Sequence, residues 1–116
     1  MQEQHRILKL NALLQKELGK IILEQGIEFP EGTIVTIINV DSSPDLQHSK
    51  IYISIVPEAR AKEVVATLNR SIFSIQQELN QKLRMRPIPK IEWHTYENAD
   101  QVKRVDELLE EIKAKK

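Results

Sequence analysis

The sequence contains no cysteine and only three glycines, and each shortage removes a class of function. Without cysteine the chain has no disulfide framework, no thiol nucleophile and no thiolate metal site. The glycines, Gly19, Gly26 and Gly32, are never three residues apart. A dinucleotide-binding fingerprint, a phosphate-binding P-loop and a GxxG clamp for nucleic acid are therefore excluded.

The chain also lacks long apolar runs, and its histidines are scattered. No run approaches the roughly 20 apolar residues that span a bilayer, and the first residues do not resemble a signal peptide, so we expect a cytoplasmic protein. His5, His48 and His94 form no metal-binding pair of the HExxH kind, so we expect no metal, no cofactor and no catalysis. Hydrophobic residues make up 41% of the 116 residues, which is enough for one domain spanning 1–116.

The net charge is zero, but the charges are unevenly distributed. Residues 60–90 contain seven basic and two acidic side chains, whereas residues 91–111 contain seven acidic and two basic ones. A neutral chain can therefore still present one positive face to a partner.

Apolar spacing predicts a first helix over residues 3–25, ended by Gly26. Its apolar stripe consists of Ile7, Leu10, Leu14, Leu18 and Ile21. Residues 33–40 are dense in β-branched residues, and both the odd and the even positions are largely apolar, which is typical of a well-buried strand. Residues 50–56 alternate cleanly, so they should pair with the first strand in antiparallel fashion across the turn-rich segment 41–45.

Residues 58–86 lack glycine and proline and predict one long helix, or two helices that meet at a kink. The apolar stripe there consists of Val64, Leu68, Ile72, Ile75, Leu79 and Leu83. Pro87 and Pro89 should end the helical segment, and residues 90–96 alternate as a third strand. A C-terminal helix over 98–116, acidic and then basic, is predicted from Val102, Val105, Leu109 and Ile112.

This order predicts an α+β domain with a three-stranded mixed sheet and helices on one face. The long crossover between the second and third strands indicates that at least one strand pair is parallel.

Basic residues near the end of the long helical segment are the candidate binding residues. Arg84 and Arg86 close the segment, Lys90 follows, and Arg70 and Lys82 can share a helix flank with them. Such a track would bind phosphates, mostly through backbone and shape because aromatics make up only 4% of the chain. The alternative is that these cations complement the helix dipole and keep the surface soluble.

Several blocks, in order along nearly the whole chain, resemble the ribosome-binding factor A family. The most specific are VDSSPDLQHSKIYIS at 40–54 and ELNQKLRMR at 78–86. Weaker ones are LQKEL at 14–18, Leu68-Asn69, Ile88-Pro89 and VDELL at 105–109.

The resemblance implies a single type II KH-like domain, in the order α-β-β-α(kink)α-β plus the C-terminal helix, in which a kinked helix pair replaces the GxxG loop. It further implies a non-enzymatic, monomeric assembly factor that binds the small (30S) ribosomal subunit and precursor 16S rRNA, without a membrane or a small-molecule substrate. Late maturation of the 16S rRNA ends and support of growth in the cold are implied as well.

Two sites follow from the resemblance. Ser43, Pro44 and Asp45, with Lys50 in the next strand, would contact RNA, although turn chemistry alone also explains the first three. The family's small-x-Gly kink falls on Ser71, Ile72 and Phe73, with phenylalanine in place of glycine.

We expect the kink to persist, with Phe73 packed in the elbow. A different class of function also remains open, namely a protein-interaction module that acts through the acidic C-terminal helix.

Overall fold

The computed structural model describes residues 2–95, with side chains from residue 4 onward. The predicted C-terminal helix at 98–116 therefore lies outside the described residues. No helix within the described range is long and apolar enough to cross a membrane.

The first helix, α1, spans Gln2–Glu24 and confirms the predicted amphipathic stripe. Leu10, Leu14, Leu18 and Ile21 are buried in the core, one per turn of the helix. The chain leaves the helix through Gly26, whose φ of +63° lies in the left-handed region. A residue with a Cβ atom is strained there, so glycine suits this helix end.

Three strands form one mixed sheet, as predicted, and their order in it is β1-β2-β3. Strand β1 (Ile34–Ser42) is antiparallel to β2 (His48–Val56), and β3 (Lys90–Thr95) runs parallel to β2. Ile51, Ile53 and Ile55 on β2 are buried, which confirms the alternation read from the sequence.

The prediction that the first strand is well buried was wrong, because β1 lies at an edge of the sheet and Ile34 is 65% exposed. The pairing with β2 shifts register between Ile37 and Asn39, so Ile38 is an extra residue on β1. Such a bulge reverses the alternation of side chains. Val35 and Ile37 before it, and Val40 after it, therefore face the same core, which explains why both alternations looked apolar.

The long helical segment is two helices, preceded by a 3-10 turn at Glu58–Arg60. Helix α2 spans Ala61–Arg70 and α3 spans Ile72–Lys82. Ser71 separates them with φ −98° and ψ 2°, outside the α-helical region. The expected interruption is thus present without glycine.

Two details of this segment differ from the prediction. Phe73 does not pack in the elbow but is 72% exposed. The second helix ends at Lys82 and not near residue 86, because Leu83 turns to an extended conformation with φ −88° and ψ 135°. Leu83 still reaches the core, so the chain leaves the helix as soon as its last apolar residue is buried.

The core lies between the helices and one face of the sheet. Buried residues of α1, α2 and α3 form one cluster with the inward residues of the strands, including Ile91 and Trp93. On the other face, Lys50, Lys90 and Glu92 are exposed. The predicted fold class, an α+β domain with helices on one face of a three-stranded mixed sheet, is confirmed.

Candidate nucleic-acid interface

The loop between β1 and β2 is held in place by its own polar side chains. Ser43 Oγ donates to Asp45 Oδ1 at 2.6 Å and accepts hydrogen bonds from the amides of Gln47 (3.2 Å) and His48 (3.1 Å). The Gln47 amide also reaches Asp45 Oδ1 at 3.1 Å. Leu46 takes a positive φ of 59° to close the turn. This is the turn chemistry that short polar side chains provide.

These hydrogen bonds keep the Asp45 carboxylate ionised. The hydrogen bond from Ser43, and then that from the Gln47 amide, lower the pKa of Asp45 below its ordinary value. An ionised carboxylate repels phosphate, so Ser43 and Asp45 act first as the frame of the loop. Pro44 is exposed beside them and is available for contact.

The connector between α3 and β3, residues 83–89, is anchored where β3 begins. The Lys90 amide donates to the Gln47 carbonyl oxygen at 3.0 Å, which joins the start of β3 to the β1–β2 loop. From α3, the Gln76 side chain donates to the Pro89 carbonyl at 3.0 Å and accepts from the Ile91 amide at 3.0 Å. The end of the connector is therefore fixed to both the helix layer and the sheet.

The sequence had indicated that Arg84 and Arg86 lie at the end of a helix. In the structure both lie in this connector, beyond the end of α3. Both side chains are exposed. Arg86 Nη1 donates to the carbonyl oxygens of Met85 at 2.8 Å and Leu83 at 3.4 Å, and neither arginine pairs with a carboxylate within the described part of the chain. Neither charge is therefore neutralised by a described carboxylate, and the Arg86 guanidinium is held against the main chain of the connector.

Lys82 differs from these arginines because its charge is neutralised within the fold. Its ammonium group lies 2.9 Å from Glu24 Oε2 on α1 and 3.4 Å from Glu78 Oε2 on α3. The hydrogen bond to Glu24 raises the pKa of Lys82 above its ordinary value. The pKa of Glu78 is lowered, first by the hydrogen bond from Gln25. Two carboxylates around one ammonium leave this spot negative.

Arg70 ends α2 and donates to Thr67 Oγ1 at 3.2 Å on the same helix. Lys82 ends α3, so the two residues that were expected to share one helix flank belong to different helices. The contacts of the structure do not join them. Of the kink residues, Ser71 forms the interruption itself, Ile72 packs against the core and Phe73 faces solvent.

Lys50 is exposed on the open face of the sheet, between two acids. Its neighbours in the register are Asp41 on β1 and Glu92 on β3. Glu92 also lies 3.8 Å from His48 Nδ1 and 3.3 Å from His94 Nε2. This charge balance gives the surface around Lys50 little attraction for phosphate. Within residues 4–95, no group of three or more histidines and carboxylates is arranged to hold a metal ion.

The structure adds Arg6 to the candidate residues that the sequence suggested. Its side chain is exposed on α1 and lines a small pocket together with Ile7, Pro44 and Leu46, so it places a cation directly beside the β1–β2 loop. In the sequence Arg6 is marked only by its position next to Ile7 of the helix stripe. That position does not show which loop the helix contacts.

Known proteins match this chain over nearly its full length. The family model described as Ribosome-binding factor A matches residues 6–109. A ribosome-binding factor A from Prochlorococcus marinus (strain MIT 9215) is 37% identical, over 99% of this chain and 90% of the relative. One from Thermodesulfovibrio yellowstonii is 33% identical, over 97% and 95%.

Solved structures agree in fold. The crystal structure of ribosome-binding factor A from Thermus thermophilus superposes with a TM-score of 0.67 at 21% identity, covering 78% of this chain and 97% of that one. A homology model of the Thermus thermophilus protein, fitted into the cryo-EM map of a 30S–RbfA complex, superposes with a TM-score of 0.60 at 25% identity, covering 72% and 88%. By its sequence matches, and in agreement with its fold, this chain belongs to the ribosome-binding factor A family.

Proposed function

We propose that this chain binds the free small (30S) ribosomal subunit and its precursor 16S rRNA in the cytoplasm, and that it catalyses no reaction. The family membership supports the ribosomal partner, and a relative of the same fold has been fitted into a 30S complex. The chain would assist late maturation of the 16S rRNA ends and support growth in the cold.

Arg84 and Arg86 carry the RNA-binding part of the proposal. They are two exposed cations, separated by one residue, on a connector whose end is fixed by Gln76 and by the Lys90 amide. A guanidinium group suits phosphate because it is always charged and can bind two oxygens at once. Fixing the connector in advance lowers the entropy that is lost on binding.

Lys90 follows the connector at the start of β3, and Arg6 and Pro44 lie together at the β1–β2 loop, where they offer a cation and an uncharged contact. Lys82 contributes least, because Glu24 and Glu78 already neutralise it. We therefore rank the cations that the sequence singled out by their surroundings: Arg84 and Arg86 first, then Lys90, then Lys50 and Arg70, with Lys82 last.

Binding of small-subunit RNA by the variant Arg84→Glu with Arg86→Glu tests this proposal. The matched control is Lys16→Glu with Lys20→Glu, which changes the net charge equally at two exposed positions of α1. We expect the connector variant to bind much more weakly at low salt, with the difference shrinking as salt rises, and the control to bind nearly as the parent does. Equal loss in both variants would show that only the net charge matters.

The salt dependence gives a second reading of the same variants. Each phosphate contact that releases a counterion contributes a slope of about −0.7 to −0.9 in a plot of log K against log salt concentration. Replacing both arginines should make this slope shallower by about 1.4 to 1.8. An unchanged slope would mean that neither arginine touches a phosphate.

Deletion of the protein in cells tests its proposed roles in 16S rRNA maturation and in growth in the cold. A strain without the protein should accumulate precursor 16S rRNA in free small subunits and grow poorly in the cold. The Arg84→Glu, Arg86→Glu variant should fail to restore either property. Purified protein that hydrolysed ATP or GTP, with the activity lost on a point substitution in this chain, would contradict the non-enzymatic assignment.

A further inference from the structure

A groove of about 460 Å³ lies between α2 and β3, away from the basic connector. Its lining includes Lys62, Val65 and Ala66 from α2 and Trp93 and Thr95 from β3. Val64 and Leu68 of the same helix face the core, so α2 has a second, largely apolar stripe that the described residues leave uncovered. Small side chains on this stripe would let another helix approach closely.

We propose that residues 96–116 of this chain dock into the groove as an amphipathic helix. The last described residue of β3, Thr95, itself lines the groove, so the following segment starts at its rim. The stripe of that segment runs from Val102 to Ile112 and would rise about 15 Å in a helix. Helix α2 has 10 residues and rises about the same distance.

The acidic part of the segment has a candidate partner at the groove. Residues 106–111 carry Asp106, Glu107, Glu110 and Glu111 between the apolar positions, whereas the basic residues lie at 103–104 and 113–116. On the groove side Lys62 is exposed and makes no ion pair with residues 4–95. Docking would bury the apolar stripe against the groove and bring the acidic part of the segment toward Lys62.

The β3 side of the groove needs polar partners that the described residues do not supply. The indole nitrogen of Trp93 is buried without an acceptor among them. Strand β3 is also an edge of the sheet. Because the Lys90 amide points to β2, the alternating amides of Trp93 and Thr95 point to the free edge. Proteins commonly cover such an edge with a helix or a loop.

Disulfide trapping in the full-length protein tests the docking, and the absence of native cysteine makes the result unambiguous. Under mild oxidation, Ala66→Cys with Val105→Cys should form a bond within one chain. The matched control, Ala66→Cys with Glu107→Cys, moves the second thiol to the other side of the predicted helix and should form it far more slowly.

Equal rates for the two pairs would overturn the proposal, since they would show that the segment reaches Ala66 only because it is tethered nearby, with no particular helix face turned to the groove. Bonds that form only between chains would overturn it as well, since they would assign the groove to a second copy. Addition of Val65→Glu to the first pair should slow its bond, and an unchanged rate would contradict docking in the groove.

Trp93, the only tryptophan of the chain, gives an independent readout. Leu109→Ser removes an apolar contact from the segment, and Glu107→Ser is its control on the polar side. We expect acrylamide to quench Trp93 fluorescence more strongly in Leu109→Ser than in the parent, with little change in the control. Identical quenching in all three proteins would refute the docking. Neither readout uses RNA, so it is independent of the proposed function.

Discussion

Gln76 joins the helix layer to the start of β3, and its removal should weaken the whole domain. The Gln76→Ala variant loses the hydrogen bonds to the Pro89 carbonyl and from the Ile91 amide, both 3.0 Å long and partly buried. A buried polar group left without a partner costs about 1 to 3 kcal/mol. Two such groups would cost about 2 to 6 kcal/mol, but because water can reach part of this site, we expect a loss near the lower end, about 2 to 3 kcal/mol, in the free energy of unfolding.

Denaturant unfolding followed by circular dichroism measures this loss. The control is Gln77→Ala, the same substitution one residue further along α3, where the side chain is exposed and a change within about 0.5 kcal/mol is expected. Amide hydrogen exchange should in addition become faster at Ile91. The reasoning is refuted if the two variants unfold alike, or if the Ile91 amide keeps its protection in Gln76→Ala.

Two further predictions concern the loop and the core. Ser43→Ala should raise the pKa of Asp45 toward its ordinary value, because the hydrogen bond from Ser43 is the main cause that lowers it; carboxyl NMR titration measures this. In the parent, the stabilisation linked to the lowered pKa of Asp45 is present above the pKa of the unfolded state and is lost as the pH falls through the pKa of the folded state. The variant should therefore lose less unfolding free energy over the same fall in pH. Leu14→Ala should cost about 2 to 5 kcal/mol of unfolding free energy, because Leu14 is fully buried in α1. Leu23→Ala on the same helix, 81% exposed, should change it by less than about 0.5 kcal/mol in the same denaturant assay.

The elements that could be predicted from the sequence are those with a local cause. The stripe of α1 and the alternation of β2 follow from helical and strand periodicity, and each is visible in a short window of residues. Gly26 marked the end of α1 because its conformation is intrinsic to glycine. The presence of a parallel pair followed from the length of the crossover, which antiparallel neighbours do not need.

The features that were mispredicted depend on distant parts of the chain. The exposure of β1 depends on which strand occupies the centre of the sheet, and its bulge at Ile38 left no glycine or proline as a mark. Residues 83–86 contain no sequence signal that α3 ends at Lys82. The early end is set by the burial of Leu83 and by the path to β3.

In the candidate interface, too, local features were predictable and features that depend on distant residues were not. Clustering of cations in residues 60–90 was evident, and Arg84 and Arg86 are indeed exposed. The neutralisation of Lys82 was not evident, because Glu24 comes from a helix 58 residues earlier in the chain. Whether the candidate residues contact RNA stays a prediction.

The position of β3 also has a consequence for the folding pathway. The hairpin of β1 and β2 closes through a short loop, whereas β3 must find β2 after two helices have intervened. Non-local parallel pairing forms slowly, because the loop entropy is lost before the contacts are made. We expect β3 to join the sheet last and to be the first strand to detach in partial opening of the native state. Since β3 begins at the connector that carries Arg84 and Arg86, the late step of folding is also the step that completes the candidate RNA-binding surface.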